Sequence, residues 1–340
     1  MSFLAKNFLI TGGAGFIGSH FTIKACNLGH KVVVLDKLTY AGNMANLAAI
    51  QGKTNFKFVK GDITNPDVVL EIFNKDQIDY VINFAAESHV DNSISAPESF
   101  IQTNIVGTFN LLNCSLRYWK NLTDNKKSEF RFLHVSTDEV YGSLALDDSK
   151  FNEKNPYRPN SPYSASKAAS DHLVRAWNKT YNLPTITTNC SNNFGPHQHK
   201  EKLIPVVIAS ALSKKQIPIY GNGRNIRDWI YVEDHVDGIY LALTEGKIGE
   251  TYCFGGDCEK ENIDLAKEIC QILDNLQPKA DGSSYQKQIT FVNDRLGHDE
   301  RYAVSNAKVA KELGYKVSKS FNQRLQQTVE WYLSSNLLKL

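Results

Sequence analysis

The chain has 340 residues, 42% of them hydrophobic and 22% charged, an ordinary globular balance with room for a large core and for one big domain or two. Its 38 basic and 36 acidic residues leave a net charge of +2, which gives no global attraction to nucleic acid or to a membrane surface. The lysine pairs Lys126-Lys127 and Lys214-Lys215 read as solvated ends, because no aromatic or arginine cluster accompanies them. No transmembrane stretch and no removable signal segment is expected, since the N-terminus runs straight into a glycine-rich turn. The six cysteines show neither paired nor metal-ligand spacing, which predicts reduced thiols in a cytoplasmic protein. His197 and His199 lack a third ligand nearby, so no metal is expected.

Short β-branched runs alternate with helix-length amphipathic segments. Strands are expected at Asn7–Thr11, Lys31–Asp36, Phe56–Lys60, Tyr80–Asn83, Arg131–Ser136 and Thr185–Cys190, with helices at Gly15–Leu28, Pro66–Asn74, Pro97–Trp119 and Pro162–Tyr181. This order predicts an α/β fold, a Rossmann-type doubly wound parallel sheet covered by helices on both faces. After Asn192 the pattern loosens into loops rich in Gly, Pro and Asn around helices near Ile204–Ser213, Ile263–Leu276 and Ser305–Leu313. The expected division is a dinucleotide-binding domain over 1–190, with later segments near 225–255 returning to it, and a smaller substrate-binding lobe over 191–340. Ligands in such folds bind in the crevice at the strands' C-terminal edge.

The segment Thr11-Gly-Gly-Ala-Gly-Phe-Ile-Gly-Ser19 follows the first strand and opens the first helix. Its glycines fit two overlapping templates, at 13, 15 and 18 and at 12, 15 and 18. They permit a tight turn, close approach of backbone to a pyrophosphate, and an anion site at the helix N-terminus. Asp36, at the end of the second strand, suits a ribose diol and repels a 2′-phosphate, so NAD is expected rather than NADP. Lys37 beside it works against that repulsion. Asp62-Ile63 closes the third strand where it can meet an adenine, or can serve the N-cap region of the helix that follows.

Tyr163-Ser-Ala-Ser-Lys167 places a phenol and an ammonium one turn apart on one helix face. Bringing a tyrosine from its ordinary pKa of about 10 to about 7 takes roughly 4 kcal/mol of differential stabilisation, which the ammonium and a cationic nicotinamide are expected to supply together. Thr137, at the end of the fifth strand, offers a hydroxyl to a reacting oxygen. The adjacent Asp138-Glu139 exceeds what hydride transfer needs. Two carboxylates beside a substrate point to a second proton-transfer step, one taking a carbon-bound proton and the other protonating a leaving hydroxyl.

Together these segments resemble the extended short-chain dehydrogenase/reductase family, and within it the nucleotide-sugar 4,6-dehydratases, over nearly the whole chain. The resemblance rests on Asp36-Lys-Leu-Thr-Tyr-Ala-Gly-Asn43, Ala85-Ala-Glu-Ser-His-Val-Asp91, Thr103-Asn-Ile105, Ser136-Thr-Asp-Glu-Val-Tyr-Gly142, Ser161-Pro-Tyr-Ser-Ala-Ser-Lys167, Ser191-Asn-Asn193, Glu201-Lys-Leu-Ile-Pro205, Arg227-Asp-Trp229 and Gly297-His-Asp299. It implies catalysis by Thr137, Asp138, Glu139, Tyr163 and Lys167, with oxidation at C4, loss of water across C5 and C6, and return of the hydride to C6. It implies an NAD site built from Gly12, Gly15, Phe16, Ile17, Gly18, Asp36, Lys37, Leu38, Thr39, Asp62, Ile63, Ala85, Ala86, Thr103, Tyr163, Lys167 and Asn193. For the substrate it implies Ser88 and Thr137 at the hexose and Asn192, Lys202, Leu203 and Arg227 at the diphosphate. Tyr220, Asn262, Arg295 and His298 would hold the nucleotide. By itself Arg227 beside Asp228 reads equally as an internal ion pair. The implied substrate is a nucleoside-diphosphate hexose, with dTDP-glucose favoured over a UDP-sugar. A 4-epimerase and a non-catalytic NAD-binding protein are the remaining alternatives. A homodimer through the helices near Pro97–Trp119 and Pro162–Tyr181 is also implied. Departures from the family pattern at Asn92, Phe194, His197–Lys200, Cys253 and Leu296 lie on the substrate side.

Overall fold

The computed structural model describes residues 5–318 and 320–335; residues 1–4, 319 and 336–340, which belong to the expected domain ranges, lie outside the described residues. The first half supplies strands β1 (Asn7–Thr11), β2 (Lys31–Asp36), β3 (Phe56–Lys60), β4 (Tyr80–Asn83), β5 (Arg131–Thr137) and β6 (Thr185–Cys190). The second half adds β7 (Asn192–Phe194), β8 (Ile217–Tyr220), β9 (Ile226–Tyr231), β10 (Thr251–Phe254), β11 (Glu259–Glu261), β12 (Ile289–Val292) and β13 (Arg301–Tyr302). Seven of them form one parallel sheet in the order β10-β6-β5-β4-β1-β2-β3. Runs such as Val32-Val-Val-Leu35 are buried throughout, as a strand covered on both faces requires. The winding reverses between β1 and β4, and a crevice opens there at the strands' C-terminal ends.

Two hydrophobic clusters cover the sheet. One contains Phe8, Ile10, Phe21 and Ile82, the other Leu9, Val81, Leu111 and Phe132, so alternate residues of the same strands serve opposite faces. The helix Pro162–Tyr181 starts sharply because Ser161 and Ser164 exchange side-chain and backbone hydrogen bonds and Pro162 occupies the first turn. It stops where Asn182 turns left-handed at φ 58°.

The helix expected over Pro97–Trp119 is not one continuous α-helix. A turn over Glu98–Phe100 leads into a π-helical stretch, Ile101–Gly107, before α-helix resumes over Thr108–Lys120. Side-chain bonding accounts for the wider turn. Asn104 Nδ2 donates to Glu87 O and Ser166 Oγ, Asn104 Oδ1 accepts from Glu87 N, and Ser170 Oγ donates to Asn104 O. The π-turn thus stitches the loop after β4 to the helix carrying Tyr163.

A second core gathers Phe194, Trp229, Tyr231, Ile208, Leu265 and Leu325 beneath the helices Leu203–Leu212, Asn262–Leu276 and Phe321–Ser334. β9 joins the two cores. Trp229 and Tyr231 face the second core while Ile230 between them faces the first. Residues from Val236 to Leu243 and β10 then lie against the main sheet.

Candidate active site

One large cavity, about 290 Å³, runs along the crevice and is lined from the glycine turn at one end to Glu139 and Lys202 at the other. At the first end, Gly12 takes φ +69°, and a Cβ there would lie 2.6 Å from Ala85 N; at Gly18 it would lie 2.2 Å from Gly12 O. Only glycine permits this approach of turn, strand and helix. The helix Phe16–Asn27 has no side-chain cap, and Phe16, Ile17 and Gly18 line the cavity, so first-turn N–H groups remain for an anion.

Asp36 accepts from Ala14 N at 2.9 Å through one oxygen and from Leu38 N at 2.8 Å through the other. Each oxygen keeps a further lone pair, and the residue lines the cavity. Lys37 is paired with Asp62 at 2.7 Å, so its charge is already matched and does not favour a 2′-phosphate. These residues fit NAD: an uncapped helix start for the pyrophosphate and a carboxylate for a free ribose diol. Asn65, not Asp62, caps the helix Pro66–Asp76. Of the expected cofactor residues, Leu38 alone does not line the cavity; it turns back at φ 55° and packs against the first core.

At the chemical end, Thr137 closes β5 and caps a short 3-10 turn, Asp138–Tyr141, by accepting from Glu139 N at 3.3 Å. Its hydroxyl donates to Asp138 Oδ1 at 3.4 Å and lies within hydrogen-bonding reach of the Tyr163 hydroxyl. Lys167 Nζ donates to Val135 O at 2.8 Å. Thr137, Asp138, Glu139, Tyr163 and Lys167 all line the cavity.

The two carboxylates differ in surroundings. Asp138 is buried, its Oδ2 has no hydrogen-bond partner, and burial followed by the neighbouring Glu139 charge pushes its carboxyl well above the usual range. Burial also raises Glu139, but Arg295, Lys202 and Arg227 pull against it. The arrangement therefore favours the proton on Asp138 over Glu139. Tyr163 departs from expectation. Burial, then the Glu139 charge, holds its hydroxyl well above the ordinary tyrosine value, and burial lowers Lys167 to about 8. Burial thus opposes the phenolate here, and a cationic nicotinamide in the cavity would favour it.

Ser88, Thr137, Asn192 and Lys202 line the cavity as expected for substrate, and Lys202 Nζ donates to Ser88 O at 2.9 Å. Six other expected substrate residues do not line it. Leu203 begins a helix and packs into the second core. Arg227 is buried, donates to the carbonyls of Ile226, Asp299 and Glu300, and stacks on Tyr302 at 4.3 Å. It forms no ion pair with Asp228, whose carboxylate instead accepts from Ser191, Gly256 and Cys258. Tyr220 and Arg295 meet at Asp91, with contacts of 3.3 and 3.9 Å, and His298 stands edge-on to Tyr220. Asn262 starts a helix of the second lobe with its Oδ1 buried and unpartnered.

Residues given no site role from sequence also line the cavity, among them Glu87, Cys190 and Glu201, and so does His199, for which the sequence predicts no metal role. Glu87 and Glu201 sit inside segments quoted above, so the signal was present without a role attached. His134 and Asp171 lie buried beside Lys167. Asp171 follows Tyr163 by eight residues and Lys167 by four, a spacing that shares their helix face.

The doubly wound sheet, the glycine cradle and the Thr137–Tyr163–Lys167 cluster define an enzyme of the extended short-chain dehydrogenase/reductase class. The family described as GDP-mannose 4,6 dehydratase matches residues 9–328. The dTDP-glucose 4,6-dehydratase of Xanthomonas campestris pv. campestris (strain B100) is 53% identical over 96% of this chain and 93% of its own. That of Escherichia coli (strain K12) is 52% identical over 96% and 92%. The crystal structure of the Streptomyces venezuelae dTDP-glucose 4,6-dehydratase DesIV, which holds NAD, superposes with a TM-score of 0.88 at 41% identity, covering 97% of this chain and 98% of that one. The chain belongs to the dTDP-glucose 4,6-dehydratase family.

Proposed function

We propose that this protein converts dTDP-glucose into dTDP-4-dehydro-6-deoxyglucose, a loss of water with no net redox change. The observation that carries the reading is Asp138-Glu139, two buried cavity carboxylates of which Asp138 is raised the further, beside Thr137, Tyr163 and Lys167. Bound NAD would supply the redox chemistry, holding the hydride between its removal from C4 and its return to C6. The cavity residues Gly12, Gly15, Phe16, Ile17, Gly18, Asp36, Lys37, Thr39, Asp62, Ile63, Ala85, Ala86, Thr103 and Asn193 would hold NAD. Tyr163, with Thr137 and Lys167 beside it, takes the proton of the C4 hydroxyl. Glu139 then removes the C5 proton, made acidic by the new ketone, and Asp138 protonates the departing C6 hydroxyl so that it leaves as water. Reprotonation at C5 completes the product. Ser88 and Asn192, with Lys202, are placed to meet the hexose and diphosphate. A 4-epimerase is not favoured, since epimerisation needs no acid–base pair at C5 and C6, and the relatives' names favour dTDP-glucose over a UDP-sugar.

Incubation with dTDP-glucose, UDP-glucose and UDP-N-acetylglucosamine, followed by mass analysis, tests the reading. A 4-keto-6-deoxy product from dTDP-glucose without stoichiometric NADH is expected; NADH release, or a product of unchanged mass, would overturn it. We further propose that the chain divides into a cofactor domain over 1–190, with segments near 225–255 returning to it, and a lobe over 191–340 that mainly binds substrate; the pairing of β10 with β6 supports the return. Ile101, Phe109 and Tyr181 are exposed on the helices named for dimerisation, which supports a homodimer through that face. All six cysteines are free thiols, which supports a reducing, cytoplasmic setting.

A further inference from the structure

Behind the catalytic face lies a buried charge cluster that the scheme above does not use. Asp171 stands one turn beyond Lys167 on the helix Pro162–Tyr181, and only 4% of it is exposed. Its Oδ2 accepts from Ser136 Oγ at 2.9 Å, from the Tyr157 hydroxyl at 2.9 Å and from Asn189 Nδ2 at 3.3 Å. Its Oδ1 has no hydrogen-bond partner and lies 3.4 Å from His134 Nε2. Lys167 Nζ lies 3.4 Å from the same imidazole nitrogen while donating to Val135 O. Three buried ionisable side chains from two elements thus meet around His134 Nε2.

Burying such groups costs several kcal/mol per ion, and a packing role would be served as well by apolar residues of similar volume. The three donors on Oδ2 favour the ionised carboxylate, although burial raises Asp171 to about 6. At neutral pH it therefore faces Lys167 as an anion and opposes the burial that would discharge the ammonium. Of the other groups facing the cluster, Cys190 alone also raises Lys167, by less than Asp171 does, and burial holds its thiol protonated. His134, from β5, is held neutral by burial and by Lys167. Tyr141 and Tyr157 from the chain after β5, Cys190 from β6 and Tyr163 from the same helix are all raised by burial and stay uncharged.

We propose that Asp171 is a positioning residue for the reaction: its carboxylate keeps Lys167 an ammonium seated on Val135 O and thereby keeps Tyr163 able to take the C4 hydroxyl proton. This rests on the dehydratase reading for its consequence but not for its first step, which concerns Lys167 alone.

The test uses the full chain with NAD bound and lysine labelled with 13C at Cε. The Lys167 resonance is assigned by its loss in Lys167→Met. In Asp171→Asn the Lys167 titration midpoint is expected to fall by about one pH unit or more, and the alkaline limb of kcat/KM on dTDP-glucose to move with it. Activity at pH 8 should then drop about tenfold, with a much smaller loss at pH 6.5. Tyr157→Phe removes one donor from Oδ2 and should shift the same resonance in the same direction by less, which decides the matter if Asp171→Asn does not fold. A Lys167 midpoint and alkaline limb left in place, even with a lowered melting temperature, would reduce Asp171 to a packing role and overturn the proposal. Absence of dehydration on dTDP-glucose would strike the functional reading and leave the resonance shift to judge this one.

Discussion

Glu139 and Asp138 are neighbours in the chain, yet three cations face the first while the second ends on an unpartnered buried oxygen. That asymmetry supports the proposed roles of Glu139 as base and Asp138 as acid. Glu139→Gln should lower kcat roughly 10²- to 10⁴-fold, the usual worth of a positioned acid or base. A raised Glu139 loses its charge as pH falls through its pKa, so the acid limb of the unaltered enzyme's kcat profile should vanish in the variant; a surviving limb would assign the base elsewhere. The residue types of this set are legible in sequence because they sit in contiguous segments with fixed spacing. Their ionisation is not, because it depends on neighbours that only folding assembles: Arg295 and Lys202 near Glu139, and Asp171 beside Lys167. Arg227 shows the same limit, since nothing in Arg227-Asp228 indicates that the guanidinium turns to the carbonyls of Asp299 and Glu300.

Glycine spacing and strand order transmit well from sequence to element because each imposes a backbone requirement. Gly18→Ala would set a methyl 2.2 Å from Gly12 O, a contact no side-chain rotation relieves. A loss of NAD affinity of at least about tenfold is expected by fluorescence titration, with the far-ultraviolet spectrum retained. Undiminished affinity would mean that the turn yields more than its packing allows. The π-turn at Ile101–Gly107 was not legible, since one extra residue per turn barely disturbs a 3.6-residue hydrophobic period. Its cause lies in Asn104 and its partners on Glu87 and Ser166, 17 and 62 residues away. β10 was missed for a different reason. It is only four residues long and enters the main sheet beside β6 after an excursion through the second lobe.

Two features act on the molecule as a whole. Phe109 and Ile101 are each 43% exposed on the helical face proposed for dimerisation. Phe109→Asp should convert the dimer to monomer by light scattering, with burial of a charge at the interface as the cause; an unchanged mass would move the interface elsewhere. The second feature is acid sensitivity. His235 is fully buried with Nδ1 2.9 Å from Asn193 Oδ1, and burial lowers its pKa from 6.5 to about 3. The unfolded chain therefore binds a proton that the native state refuses throughout this window. Above pH 6.5 the group has no effect, and below it stability should fall by about 1.4 kcal/mol per pH unit until the native imidazole also titrates. Urea midpoints measured from pH 7.5 to 5 should decline more steeply for the unaltered protein than for His235→Asn. Parallel slopes would exclude His235 as the source.

Asp36 does more than offer a carboxylate to a ribose diol. Its two oxygens also satisfy the backbone N–H groups of Ala14, inside the glycine turn, and Leu38, just past β2. Exchanging it for a small neutral residue, the usual first step toward an enzyme that accepts a 2′-phosphorylated cofactor, orphans two amides, each at about 1–3 kcal/mol where water cannot reach. Lys37 does not wait free to receive the new phosphate, because releasing it leaves Asp62 unpaired. Re-engineering this family member's cofactor preference is therefore first a problem of rebuilding a turn, and only then one of recognition.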